Sequence, residues 1–416
     1  MPISATLAAH QAMNQKRQSG EYVLPLGFGE AGLPVHPSLT KQLSEYSDRN
    51  SYGPVAGVPR LREAAAGYWS RRGLPTSTDD VVAGPGSKSL LYALLMAVEG
   101  DVLLPQPSWV SYAAQVEMVG CKPLFIPTKA GQGGVPDPAL IDDYLDNARD
   151  AGFDVKAVVV TQPDNPTGTM ADPDTLKALC DKALAHDLVI ISDEIYRDVV
   201  FDPQHEYVSA ADLAGDRTII TTGLSKSLAL GGWRLGVARF PTNSRGEALK
   251  ERALEIASEV WSAPTQPVQY AAAYAFDEPE PITARIAASW NLHACISQRI
   301  YQQFVAAGAE VSVPQGAFYL YPDLAPFREH LDNEWGVHSG IDLSEMLLDK
   351  FAVGVLPGSA LGDGKKELRF RVATSQLYGD TEQQRLEALH SDDPLNLPWI
   401  ARACDRLDEV LNRLTP

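Results

Sequence analysis

A lysine between two serines, with an arginine eight residues further on, is the stretch of this chain best suited to chemistry. Lys226 follows the apolar run 217–222 and lies among glycines, where the backbone can turn sharply and approach a ligand closely. A lysine amine held on such a turn can form a Schiff base with a carbonyl cofactor. Arg234 can hold a phosphate group through two parallel charge-assisted hydrogen bonds. Most Ser-Lys pairs are solvated loop residues, so these two side chains alone indicate little.

Other polar side chains directly follow apolar runs that predict strands. Asn165 comes after the run 155–161, and Asp193 and Tyr196 come after the run 188–192. In parallel sheets, ligands bind beyond the carboxyl ends of the strands. We therefore expect these three side chains to lie near Lys226.

A further candidate site follows the short apolar run 81–83. Gly86, Ser87 and Lys88 begin a predicted helix there, and the free N–H groups and dipole of a helix N-terminus favour an anion. A single polar group after one apolar run would indicate little. Four strand ends that together carry a lysine, a carboxylate and a phosphate cradle indicate one specific site.

The elements that must position these groups alternate short apolar runs with longer helical patterns from about residue 80. This alternation is typical of βαβ units and predicts an α/β fold with a mainly parallel, doubly wound sheet. Towards the end of the chain, long helices and short strands at 310–313, 318–321 and 368–372 indicate a smaller α+β domain. We expect three segments: an N-terminal arm with part of the small domain (1–44), a large domain (45–295) and a small C-terminal domain (296–416).

Composition and charge exclude several classes of protein. A net charge of −18 argues against binding to a nucleic-acid backbone or to an anionic membrane. The four cysteines are scattered and form no C-x-x-C pair, which favours a reducing compartment and no structural zinc or other metal. The start of the chain does not resemble a signal peptide, and no apolar stretch is long enough to span a bilayer. We expect a cytoplasmic protein.

Taken together, the motifs resemble those of fold-type I pyridoxal-5′-phosphate (PLP) enzymes of the class I/II aminotransferase family. The prokaryotic aspartate and aromatic aminotransferase branch is the most similar. The similarity extends from 26–30 to 368–375. The matching motifs are Asn-Pro-Thr-Gly at 165–168, Asp-Glu-Ile-Tyr at 193–196, Ser-Lys-Ser at 225–227 and Gly-Trp-Arg at 232–234.

The resemblance implies a role for each residue around the cofactor ring. Lys226 would carry the cofactor as a Schiff base and then move a proton between the substrate Cα and the cofactor C4′. Asp193 would hold the proton on the pyridine nitrogen, so that the ring accepts electrons. Asn165 and Tyr196 would donate hydrogen bonds to the ring oxygen O3′, and Trp109 would stack on the ring face.

The resemblance also implies ligands for the cofactor phosphate and a shared active site. Tyr52 is similar to a tyrosine that reaches the phosphate of the neighbouring subunit, which implies a homodimer. The phosphate ligands within one subunit would be Gly86, Ser87, Lys88, Ser225 and Arg234.

On the substrate side, the resemblance assigns the α-carboxylate to Arg369, with Gly29 and Asn165 nearby. We expect Arg371, two residues on, to turn away and to have a structural part. Lys88 is at a position that the related branch associates with acidic substrates. An exposed lysine on a first helical turn is an equally good interpretation.

We predict transamination between an L-amino acid and a 2-oxo acid, with aspartate, glutamate and 2-oxoglutarate as the leading substrates. The loop 29–37 is about one residue longer than usual, Gln162 replaces a usual asparagine, and 377–398 is extended. Substrate specificity therefore stays open.

The alternative function is that of a lyase, cyclase or oxidase of the same fold in a biosynthetic pathway. A transcription regulator is disfavoured, because the chain is acidic and begins with the small-domain arm.

Overall fold

The computed structural model describes residues 4–201 and 207–415, in which helices and strands alternate along the chain. Residues 1–3 of the predicted arm, 202–206 of the predicted large domain and residue 416 lie outside the described residues. The helices are α1 Ala5–Gln18, α2 Pro37–Glu45, α3 Pro59–Arg71, α4 Ser87–Val98, α5 Val110–Met118, α6 Ile141–Asp150, α7 Pro173–Ala185, α8 Ala210–Ala214, α9 Ser244–Val260, α10 Gln266–Phe276, α11 Glu280–Ala307, α12 Arg328–Trp335, α13 Gly340–Phe351, α14 Glu382–His390 and α15 Pro398–Leu414. The strands are β1 Leu24–Pro25, β2 Val81–Gly84, β3 Asp101–Gln106, β4 Pro123–Pro127, β5 Val155–Thr161, β6 Val189–Asp193, β7 Thr218–Gly223, β8 Gly236–Arg239, β9 Tyr319–Leu320, β10 Val353–Gly354, β11 Leu356–Pro357 and β12 Phe370–Ala373.

Seven strands form the central sheet, in the spatial order β2-β8-β7-β6-β5-β3-β4. The strands from β7 to β4 are parallel to one another, and β8 runs antiparallel to both β7 and β2. Alternate residues of the strands enter separate apolar clusters: Val159 and Ile191 pack on one face, whereas Val158 and Ile190 pack on the other. The predicted mainly parallel, doubly wound sheet is confirmed.

The register of the sheet brings the carboxyl ends of its strands to one level. Thr161 at the end of β5 pairs with Asp193 at the end of β6, and Asp193 pairs with Thr221 on β7. The strand β8 was not predicted. Its first residue, Gly236, pairs with Gly223 on β7 and also with the last residue of β2. The residues just before β8 therefore lie at the same edge as the loops that follow β5, β6 and β7.

Residues from both ends of the chain build a second core. Leu24 and Leu26 pack with apolar residues of α11, α13 and α15. The strand predicted at 310–313 is reduced to a single bridge between Glu310 and Asp323. The boundaries predicted at 44/45 and 295/296 stay a prediction.

The longest helix, α11, serves both cores. Its Ile282 packs in the cluster beside β2 and β8, whereas Ile296, Ile300 and Phe304 pack in the second core. The predicted boundary at 295/296 therefore lies inside this helix. Among the described residues, no helix combines the length and the apolar character that crossing a membrane requires.

Candidate active site

A cavity of about 330 Å³ lies beyond the carboxyl ends of β5, β6 and β7. Most of the predicted site residues line it, although they come from distant parts of the sequence. The predicted residues in its wall are Gly29, Ser87, Lys88, Trp109, Asn165, Asp193, Tyr196, Ser225, Lys226 and Arg234. The parallel register explains this convergence, because the loops after the strands open on the same side of the sheet.

Lys226 extends from the loop after β7 towards the opposite wall. Its Nζ donates a hydrogen bond to the Gly29 carbonyl oxygen at 2.7 Å. The same Nζ lies 5.6 Å from the ring centroids of Tyr196 and Phe318. The amine is therefore held between the loop 27–34 and the aromatic residues of the cavity.

Asp193 is a buried carboxyl group at the base of the cavity. Its Oδ2 accepts a hydrogen bond from the Tyr112 hydroxyl at 2.7 Å, and its Oδ1 accepts one from Thr221 at 3.2 Å. Burial raises the Asp193 pKa to about 6, although these two hydrogen bonds and the Lys226 charge oppose the rise. A carboxyl group in this state can pair with a cationic partner that enters the cavity.

The other end of the cavity is suited to an anion. The helix α4 begins at Ser87, and its N-cap Gly86 adopts the left-handed φ of +87°. A Cβ at Gly86 would collide with the guanidinium of Arg234, which is itself held by a 2.7 Å hydrogen bond to the Gly231 carbonyl. A glycine is thus required for Arg234 to lie against the helix N-terminus. Helix dipole and guanidinium together make a positive cradle.

Lys88 adds to the positive charge of this wall. Burial lowers the Lys88 pKa from its usual range, and the charges of Arg234 and Lys226 lower it further. Its Nζ lies 4.8 Å from the centroid of the Trp109 ring. Lys88 lines the cavity and is also exposed to solvent, so its position agrees with both interpretations of the sequence.

The structure corrects the expected position of Arg369. Its Nε lies 3.2 Å from an Asp363 carboxylate oxygen, and its Nη2 lies 3.4 Å from Glu367. Arg369 lines a different cavity of about 580 Å³ together with these two acids, and we call this the acidic cavity. The residue precedes β12 and forms a bridge with Asp323, which holds it on that side.

Arg371 occupies the place expected for Arg369. It is 1% exposed and lines the same cavity as Lys226. Its Nη1 donates to the Asn165 Oδ1 at 3.0 Å, and its Nη2 donates to the Gly27 carbonyl at 2.9 Å. Its Nε is buried without a hydrogen-bond partner in the described part of the chain, so the guanidinium keeps donor capacity. The expectation that Arg371 turns away is corrected. Arg371 lies inside β12, whereas Arg369 precedes this strand and is held by its bridge to Asp323, so the two arginines line different cavities.

Two tyrosines of the cavity were missed in the sequence. Tyr112 lies three residues after Trp109, a helical spacing that would have placed both on one side of α5. Tyr319 comes from β9, far away in sequence, and its hydroxyl lies 2.7 Å from that of Tyr196. No local pattern in the sequence indicates the contact between Tyr319 and Tyr196, because it depends on how β9 pairs with β12.

Tyr52 lies outside the cavity of its own chain. Its side chain is 93% exposed, the most exposed of the large apolar and aromatic residues that the structure describes. Its predicted contact with a partner subunit stays a prediction.

Comparisons with known proteins agree with this geometry. The family model of aminotransferase class I and II matches residues 23–379. The probable aspartate/prephenate aminotransferase of Thermus aquaticus is 31% identical over 365 residues, which cover 86% of this chain and 89% of that protein. The aspartate aminotransferase of Geobacillus stearothermophilus is 31% identical over 395 residues, covering 92% and 95%. A solved structure of Thermus thermophilus aspartate aminotransferase with maleate has a TM-score of 0.81 at 26% identity, covering 99% and 97%. These matches confirm the resemblance that the motifs indicated: the chain belongs to the class I and II aminotransferases.

Proposed function

We propose that this aminotransferase binds PLP in the cavity around Lys226 and moves an amino group between an L-amino acid and a 2-oxo acid. One observation carries the proposal. A lysine amine, a buried carboxyl group and a positive cradle at a helix N-terminus line one cavity of about 330 Å³. These groups match the aldehyde, the pyridine nitrogen and the phosphate of PLP.

The donor set fits the cofactor at each end. Gly86 leaves room for Arg234 beside the N-terminus of α4, where Ser87, Ser225 and Arg234 would bind the phosphate. Asp193 would hold a proton on the ring nitrogen, and pairing with that cation would offset the cost of burying its carboxylate. Trp109 would cover one face of the ring. When bound, PLP supplies the electron sink that stabilises negative charge at the substrate Cα.

This chain's own residues would position the substrate and move the proton. Arg371 and Asn165 are already joined by a hydrogen bond, and we assign the substrate α-carboxylate to this pair. Lys226 would take the proton from Cα as a general base and deliver it as a general acid. Its hydrogen bond to the Gly29 carbonyl marks a position for the free amine on the substrate side of the cavity.

We further propose an acidic amino-acid substrate, such as aspartate or glutamate, with 2-oxoglutarate as amino-group acceptor. Lys88 lines the cavity, where its ammonium lies over the Trp109 ring and forms no salt bridge with any residue that the structure describes. A second carboxylate on the substrate would supply that partner. A relative with maleate, a dicarboxylate, supports this choice.

A homodimer with shared sites is also proposed. Tyr52 is too exposed to serve its own cavity, whereas a second copy of the chain could receive it against the cofactor phosphate. The cytoplasmic location predicted from the scattered cysteines stays a proposal.

The test is spectroscopic and chemical. Purified protein incubated with PLP should absorb as a Schiff base, and Lys226→Ala should abolish this absorbance without preventing folding. A panel of amino acids should then yield 2-oxo acids and the pyridoxamine form of the cofactor, with aspartate or glutamate preferred.

Lys88→Ala should remove that preference and leave the turnover of neutral amino acids little changed. A protein that takes up no PLP would contradict the proposal. Turnover without any pyridoxamine form would instead favour the alternative lyase, cyclase or oxidase.

A further inference from the structure

We infer that Tyr319 is a positioning residue of the reaction, which acts through Tyr196 on the cofactor ring oxygen and through its ring on Arg371. This inference rests on the proposed function. It assigns one role to the hydroxyl of Tyr319 and a second, separable role to its aromatic ring.

The hydroxyl of Tyr319 lies between two groups of the site. It is 2.7 Å from the Tyr196 hydroxyl and 3.4 Å from the Gly29 carbonyl oxygen, which also accepts from Lys226. Tyr319 is 1% exposed, so no bulk water competes for these contacts. The hydroxyl therefore lies between the tyrosine that we assign to the ring oxygen and the carbonyl that accepts from the lysine, and its single proton can go to only one of them.

One proton assignment satisfies both tyrosines when the cofactor is in place. Tyr196 keeps its proton, because burial raises its pKa well above the usual range. If Tyr196 donates that proton to the ring oxygen, its own oxygen is free to accept from Tyr319, whose proton then points to Tyr196 and not to the Gly29 carbonyl. Hydrogen bonds in such a chain polarise one another, so the bond from Tyr319 makes Tyr196 a stronger donor.

The ring of Tyr319 has a different neighbour. The Arg371 guanidinium carbon lies 4.8 Å from the ring centroid, within the range of a cation–π contact. Tyr319 on β9 pairs with Ala373 on β12, two residues beyond Arg371. The ring thus supports the guanidinium that we assign to the substrate carboxylate.

Gly29 shows how closely Tyr319 is fitted to the site. A Cβ added at Gly29 would collide with the Tyr319 hydroxyl. Any other residue at position 29 would push the hydroxyl away from Tyr196 or move the carbonyl that receives Lys226. The glycine and the tyrosine therefore form a matched pair.

The experiment separates the hydroxyl from the ring. In Tyr319→Phe, the ring oxygen loses part of its stabilisation, which matters most when the Schiff base is deprotonated. The pKa read from a pH titration of cofactor absorbance should therefore rise by about 0.5 to 1, the size of one neutral hydrogen bond. We expect kcat to fall about two- to tenfold, with KM nearly unchanged. Tyr319→Leu should show the same changes and also raise KM, because Arg371 loses the ring beneath it.

A double-mutant cycle tests whether Tyr319 acts through Tyr196. In a Tyr196→Phe background, Tyr319→Phe should produce no further rise of the cofactor pKa. Tyr321→Phe is the matched control, since Tyr321 bonds to Asp363 in the acidic cavity and should leave the titration unchanged. An unchanged titration in Tyr319→Phe, or an undiminished effect in the Tyr196→Phe background, overturns the inference. Absence of PLP binding by the unaltered protein would instead contradict the proposed function.

Discussion

Arg369 and Arg371 are two residues apart but differ in what surrounds their guanidinium groups. Arg369 has acidic neighbours, among them Asp363 and Glu367, so its charge is already compensated. Arg371 is more deeply buried, and its named hydrogen-bond acceptors, Asn165 and the Gly27 carbonyl, are neutral. A buried cation without a carboxylate partner gains most from a negatively charged ligand. This asymmetry distinguishes the two arginines where their spacing in the sequence does not.

Replacing each arginine by alanine should separate binding from stability. Arg371→Ala should raise the KM for amino-acid substrates about 100-fold or more, because charge-assisted hydrogen bonds to the α-carboxylate are lost. Arg369→Ala should leave KM within about twofold and lower the melting temperature, since its acidic neighbours then repel one another. Steady-state kinetics and thermal unfolding check both variants. A large KM change in Arg369→Ala alone would reverse the assignment.

The buried Asp193 carboxyl should make the cofactor-free protein less stable above its own pKa. This pKa is raised from the ordinary 3.8 to about 6, so the unfolded state loses the proton first as the pH rises. Stability should therefore fall between about pH 4 and 6 and then stay reduced. Asp193→Asn should stabilise the cofactor-free protein by about 1–3 kcal/mol above pH 6 and have no effect below pH 4. Denaturant unfolding at several pH values measures this, and an equal gain at all pH values would contradict it.

At the scale of elements, the anion cradle depends on two elements that meet at one edge of the sheet. The N-terminus of α4 supplies free N–H groups, and the turn before β8 supplies Arg234. Gly236 of β8 pairs with Gly84 of β2, which brings the two together. Since Gly86 is the residue at which they touch, its lack of a side chain determines whether the cradle can form.

Gly86→Ala should weaken PLP binding more than it weakens the fold. The substitution adds backbone strain at a φ of +87° and displaces Arg234, so we expect the PLP dissociation constant to rise about ten- to hundredfold. Gly73→Ala is the matched control, because Gly73 has a φ of +81° but open space where its Cβ would lie. That variant should cost about 1 kcal/mol of stability and leave the dissociation constant unchanged. Equal affinities in the two variants would show that Arg234 is not displaced.

Continuous apolar runs that alternate with helical patterns were sufficient to predict the parallel strands but not every element of the site. The runs at 155–161 and 188–192 are long, apolar and β-branched, and both are strands of the sheet. The strand β8 has the sequence Gly-Val-Ala-Arg, which begins with a glycine and ends with a charge and so shows no apolar run. Tyr319 and Arg371 reach the cavity through the pairing of β9 with β12, which is non-local. Local patterns therefore predict the loops after the strands of the central sheet, whereas contacts between distant segments depend on tertiary pairing that no local pattern encodes.

For the whole molecule, the exposure of Tyr52 makes subunit assembly a testable part of the site. A tyrosine that is 93% exposed in one chain gains little unless another surface covers it. In the proposed homodimer, each cavity would use Lys226 of one protomer and Tyr52 of its partner. Neither protomer would then hold a complete site.

Mixed dimers should restore activity that both parent variants lack. Lys226→Ala protein has no Schiff-base lysine, and Tyr52→Ala protein should bind the phosphate poorly. A dimer with one subunit of each kind contains one cavity with both wild-type residues, so mixing and subunit exchange should recover up to about a quarter of wild-type activity, as random pairing implies. The activity of re-associated mixtures measures this. No recovery, with exchange verified by mass, would show that Tyr52 serves its own chain.

The helix α11 makes the two cores mechanically dependent on each other. It extends for 28 residues, about 42 Å at 1.5 Å per residue, and supplies packing to the sheet region at one end and to the second core at the other. Loss of either core would strip apolar surface from this helix and so weaken the remaining one. The two regions should therefore melt as a single cooperative unit. In the folded protein, the sheet region and the second core can tilt relative to each other only as far as α11 can pivot or bend.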